Sequence, residues 1–137
     1  MSRKFELVIF TASHQDYANP IIDHLDPTRK LISHRLFRQH CLKVDGYYVK
    51  DLSVIQNRKK EDMILIDNLI YSFAVNRENG VPIFSYMGDK GHGLPDQELR
   101  LIADRLQDIK GFTDTRHYID KTFQLTSFYD HLSKHRY

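Results

Sequence analysis

Apolar positions along the chain fall into short unbroken runs, separated by stretches in which they recur every three or four residues. Residues 5 to 10, "FELVIF", form the first run, and "MILID" at 63 to 67 and "VPIFSY" at 81 to 86 repeat the type, so the pattern predicts three buried strands. Between the first two, "SHQDYANPIIDHLD" sets Ala18, Ile21, Ile22 and Leu25 at helical spacing, and Ser13 with Asp16 resembles a capping box. Pro20 predicts that this helix either begins near Asn19 or bends there. The stretch "KLISHRLFRQHCLKVDGYYVKDLS" reads as two or three short strands, with Asp45-Gly46 as a tight turn, an insertion-like hairpin beside the main alternation. "PDQELRLIADRLQDI" carries Leu99, Ile102, Ala103, Leu106 and Ile109 on one face, Pro95 near its start and Gly111 just beyond its end, and is the strongest helix in the pattern. A second helical segment covers residues 114 to 121, followed by a tail rich in aromatics, His and Lys.

This order of elements predicts an α/β sandwich with a mostly parallel sheet. The 137 residues suit one ordinary domain. No apolar run approaches the roughly 20 residues that a membrane helix needs. Lys plus Arg number 20 against 18 Asp plus Glu, and the basic residues are scattered among the acids, so no nucleic-acid partner is expected. The single cysteine, Cys41, excludes an internal disulfide and a cysteine-rich metal site. Because "MSRKFELVIF" also lacks the apolar core and cleavage site of a secretory signal, a reducing, intracellular compartment is the expectation.

In open parallel sheets ligands gather beyond the carboxyl ends of the strands, which directs attention to Thr11, to Asp67 and Asn68, and to Ser85. Thr11 either caps the following helix or offers its hydroxyl, with the next amides, to a phosphate. Asp67 emerges from a buried run as either a loop acid or a hard oxygen ligand for Mg²⁺, with Asn68 orienting the site. Lys50, in "YYVKDLS", is either a solvent-facing lysine paired with Asp51 or an ammonium that neutralises phosphate oxygens. Cys41 beside His40 reads as a buried thiol before it reads as a nucleophile. The pairs His34 with His40 and His131 with His135 match no metal pattern, and "GDKGHG" at 88 to 93 lacks the Walker spacing.

Taken in order, "VIFTAS", "RLFRQHC", "YYVKDLSV" and "MILIDN" resemble the catalytic domain of the FCP1/SCP-type protein serine/threonine phosphatases of the haloacid dehalogenase superfamily, closest to the nuclear envelope, or Dullard-like, branch. "NGVPIFSY" and "GFTDTR" extend the likeness over most of the chain. The resemblance implies a haloacid dehalogenase-like three-layer sandwich with an inserted hairpin region, whose residues 31 to 50 help shape a substrate groove. It implies Mg²⁺-dependent removal of phosphate from phosphoserine or phosphothreonine in proteins, through an aspartyl-phosphate. By motif, Thr11 and Asn68 would bind phosphate, Lys50 would bind it and act in catalysis, and Asp67 would hold the metal. A phosphoprotein or phosphopeptide would be the partner, and the nucleus or the cytoplasmic face of the nuclear envelope or endoplasmic reticulum a place of action.

Two departures qualify that expectation. Relatives follow Asp-Asn with Ser-Pro, where this chain has Leu69-Ile70. The family also carries DxDx(T/V) on a strand between those ending at Thr11 and Asp67, the first aspartate attacking phosphorus and the second acting as general acid and base. No DxDx(T/V) occurs in the 137 residues. Residues 1–137 are therefore expected to be a partial phosphatase domain without its nucleophile strand, inactive alone, completed by another segment or subunit, or serving as a noncatalytic phosphopeptide- or protein-binding module.

Overall fold

The computed structural model describes residues 4–86, 97–125, 130–131 and 134. The chain divides into two compact units, residues 1–51 and 52–137. The glycine-rich stretch at 88 to 93, Pro95 and His135 lie outside the described residues.

The first unit is a strand, helix, strand crossover followed by a hairpin. β1 (Leu7–Phe10) pairs in parallel with β2 (Ile32–Leu36), in the register Val8 with His34 and Phe10 with Leu36, and α1 (Gln15–Leu25) makes the crossover. Ala18 and Ile22 of α1 are buried with Phe37, against Ile9 and Ile32. The predicted apolar face is wider than the one used, because Ile21 and Leu25 are exposed. A start near Asn19 is a further expectation for α1 that fails. The helix starts at Gln15 and runs through Pro20, whose missing N–H would have met the carbonyl of Asp16, an exposed position where water can serve instead. The Ser13 and Asp16 capping box does not form either. The Ser13 amide donates to Thr11 Oγ1 at 3.1 Å, so the helix begins one residue later, with His14 at the N-cap and no side-chain cap.

Polar side chains close the crossover. Asp26, buried just past α1, accepts backbone N–H groups from Lys30, Leu31 and Ile32 at 3.1, 3.1 and 2.9 Å. Burial alone would raise its pKa, but the three amides outweigh that and hold it below the ordinary carboxylate value. Arg35 of β2 reaches back to α1, donating to Asn19 Oδ1 at 2.8 Å and to Asp23 Oδ1 at 2.7 Å. The predicted hairpin is β3 (Leu42–Val44) and β4 (Tyr47–Val49), antiparallel, with Val44 opposite Tyr47. Asp45 and Gly46 have φ of 49° and 84°, the left-handed pair that a two-residue type I′ turn requires.

The second unit is built on β5 (Leu65–Asp67) and β6 (Gly80–Pro82), again parallel, with Leu65 opposite Gly80 and Asp67 opposite Pro82. Their crossover consists of single 3₁₀ turns at Ile70–Phe73 and Arg77–Asn79. Both strands are shorter than the apolar runs that predict them, and the pairing closes with the Ile83 amide on the Asp67 carbonyl, 3.0 Å. Leu52, Met63, Leu65, Phe73 and Leu125 form the core. α2 (Glu98–Arg105) tightens into a 3₁₀ segment at Leu106–Gly111, and α3 (Thr115–Phe123) overlaps the second helical segment expected from sequence. Of the apolar face predicted for α2, Ile102, Leu106 and Ile109 are buried while Leu99 is exposed. Among the described residues, the strands form three separate two-stranded sheets, two parallel and one antiparallel, where one mostly parallel sheet was expected.

Two stability predictions follow from this packing. A Cβ on Gly80 would lie 2.7 Å from Phe73 Cδ1 and 2.8 Å from Leu125 Cδ1, both inside the core, so Gly80→Ala should cost about 1–3 kcal/mol in urea unfolding. Asp114 accepts the Arg116 guanidinium at 2.8 Å and the Arg116 amide at 2.9 Å, and chiefly that side-chain hydrogen bond lowers its pKa from 3.8 to about 2. A depressed folded pKa gives stability that is complete above 3.8 and lost as pH falls toward about 2. The urea midpoint should fall across that window, and Asp114→Asn should show a smaller fall.

Candidate functional site

Each unit carries candidate residues where its strands end. In the first, Thr11 directly follows β1, and its amide donates to the Leu36 carbonyl at 2.9 Å, prolonging the pairing with β2. Its hydroxyl oxygen accepts the Ser13 amide in a local turn, and Thr11 does not cap α1. A hydroxyl has one proton and a second lone pair beyond that bond, so it can still meet an anionic oxygen. Lys50, half-buried, is the first residue after β4.

Arg38 contacts the chain close to each of these positions. Its Nε donates to the Ala12 carbonyl at 2.7 Å, its backbone amide to the Ser13 carbonyl at 3.1 Å, and Nη1 is 3.0 Å from His14 Nε2. Its guanidinium carbon sits 4.9 Å from the centre of the Tyr48 ring on β4. Nothing in the sequence marks Arg38 for this, because its partners are carbonyls about 25 residues upstream.

In the second unit, Asp67 closes β5 and is 6% exposed, with Oδ1 accepting the Leu69 amide at 2.8 Å. This is the loop-acid geometry, and it is compatible with metal binding because a carboxylate has about four acceptor positions. The neighbouring Asn68 donates its amide to Ser85 Oγ at 3.0 Å, tying the loop after β5 to the chain beyond β6. Leu69 and Ile70, at the position of the family's Ser-Pro, are exposed.

Among the described residues no three His, Cys, Asp or Glu side chains converge as a metal cage. The donor chemistry at Asp67 nonetheless fits Mg²⁺, which binds through one or two carboxylates and fills its shell with water and phosphate oxygens. Histidine and cysteine chemistry fares less well. His40 turns Nδ1 onto the Phe37 amide at 2.8 Å, and Cys41 Sγ lies 3.8 and 3.9 Å from the carbonyls of Phe37 and Thr11, so the two do not form a nucleophile and base pair. His34 faces Glu6 at 3.7 Å.

Comparison with known proteins places the chain in a family. The model for NLI interacting factor-like phosphatases matches residues 1–116. "CTD small phosphatase-like protein 3" of Caenorhabditis elegans is 45% identical over 109 residues, 80% of this chain and 36% of that protein. "Probable C-terminal domain small phosphatase" of Dictyostelium discoideum is 39% identical over 122 residues, 89% of this chain and 38% of that protein. "CTD nuclear envelope phosphatase 1B" of Danio rerio is 35% identical over 89 residues, 65% of this chain and 36% of that protein. The chain therefore belongs to the NLI interacting factor-like phosphatase family, the FCP1/SCP group of protein phosphatases. It spans little more than a third of the length of these relatives. Among the described residues, no helix is long and apolar enough to cross a membrane.

Proposed function

We propose that this chain supplies the phosphate- and metal-binding part of a protein serine/threonine phosphatase site. A strand bearing DxDx(T/V), as in a three-layer haloacid dehalogenase-like sandwich, would complete it. The observation that supports this most directly is that the two parallel pairs end on Thr11 and on Asp67-Asn68, and that among the described residues no third strand joins either pair.

In this reading the phosphoryl group passes from the serine or threonine oxygen of a phosphoprotein to the first aspartate of the added strand, and the departing alcohol takes its proton from the second. Water then cleaves the aspartyl-phosphate, releasing inorganic phosphate and the free carboxylate. The Lys50 ammonium neutralises nonbridging oxygens as charge develops during transfer. Thr11 donates its hydroxyl to the phosphate and Asn68 orients it. Asp67 would hold Mg²⁺, which supplies Lewis-acid stabilisation of the phosphoryl oxygens. By analogy with the envelope phosphatase relative, the setting in this reading is the nuclear envelope or endoplasmic reticulum, and the branch is the Dullard-like one. The absence of DxDx(T/V) from the 137 residues favours a second reading, a noncatalytic phosphopeptide-binding module.

Hydrolysis of para-nitrophenyl phosphate with Mg²⁺, measured on the chain with and without an added apolar peptide carrying DxDx(T/V), separates the two. Completion by the peptide should give turnover that falls about a hundredfold or more in Asp67→Asn and in Lys50→Ala. Turnover indifferent to both substitutions would sink the assignment of these residues. No turnover in either condition, with phosphopeptide binding retained, would favour the binding module.

A further inference from the structure

We infer that Arg38 is a positioning residue that locks the Thr11 loop to the hairpin ending on Lys50. The loop from Thr11 to His14 has no regular secondary structure, yet Arg38 holds it at successive points: the Ala12 carbonyl through Nε, the Ser13 carbonyl through its backbone amide, and His14 through Nη1. The same guanidinium sits over the Tyr48 ring, within the reach of a cation–π contact, and Tyr48 is two residues before Lys50 on the strand that delivers it. One planar fork thereby serves a carbonyl, an imidazole and an aromatic face together, which a point charge on a flexible stem cannot do. Lys43 shares the other claim on that ring, 5.7 Å from its centre, so the ring ties the loop to both strands of the hairpin.

The consequence for phosphate rests on the function proposed above: Thr11 and Lys50 would reach one phosphate only if their spacing is held, and Arg38 is the covalently unbroken side chain that touches both supports. The inference itself concerns coupling within the first unit and is tested without substrate.

Amide hydrogen exchange resolved by residue on the full chain would compare wild type with Arg38→Gln, Arg38→Lys, Tyr48→Leu and the Arg38→Gln/Tyr48→Leu double variant. The reporter is the Ser13 amide, which donates to Thr11 Oγ1. Arg38→Gln should speed its exchange about tenfold or more, and Arg38→Lys should recover little of that protection. Tyr48→Leu, altered only on the hairpin, should also speed exchange at Ser13, and the double variant should be no faster than Arg38→Gln alone. Unchanged exchange at Ser13 in Tyr48→Leu, or fully additive effects, would overturn the coupling even if Arg38→Gln fails to fold. Titration with inorganic phosphate gives the separate answer: weaker binding in Tyr48→Leu supports the functional link, whereas wild type that binds none overturns the proposed function and leaves the exchange result to decide the role of Arg38.

Discussion

Two parallel strands cannot be joined by a tight turn, and both units of this protein are shaped by how they meet that constraint. The chain must leave one strand end, cross the sheet face and re-enter at the other end, exposing backbone groups at each corner. Buried polar side chains occupy those corners. Asp26 takes three amides where α1 turns into β2. In the second unit Asn76 Oδ1 accepts the Leu52 amide at 2.8 Å, and Asn79 donates to the carbonyls of Lys60 and Met63. Apolar packing alone would leave these groups without partners, at a cost comparable to a lost hydrogen bond for each.

The same corners explain which parts of the fold were legible. The hairpin was, because Asp45-Gly46 carries its own φ requirement and needs no distant partner. β1 and β5 were legible as apolar runs, and their ends pointed to Thr11 and Asp67. The start of α1 was not, because Thr11 Oγ1 accepts the Ser13 amide that a capping box would give to the Asp16 carboxylate. Asp26 looks in sequence like any acid before a Pro-Thr turn, and only the fold gathers Lys30, Leu31 and Ile32 around it. Arg38 is the sharpest case, sitting in "RLFRQHC" beside a cysteine and a histidine whose chemistry attracts notice, while its own role depends on carbonyls from the far side of a helix.

Family membership and local geometry support different statements about function. The match to NLI interacting factor-like phosphatases establishes the kind of protein, and in open parallel sheets generally the strand ends are where ligands gather. Thr11 and Lys50 belong to the first unit, and Asp67 and Asn68 to the second.

The open flank of strand β1, which among the described residues pairs with β2 alone, has a meaning for the life of the chain in a cell. Leu7, Val8, Ile9 and Phe10 are all only partly buried, and among the described residues one flank of the strand has no neighbour. A strand of that composition is a template for adding another strand, whether the right one or a stranger. The feature that would let this protein accept a completing segment is therefore the one that would mark it for chaperones, or drive it into aggregates, while it waits.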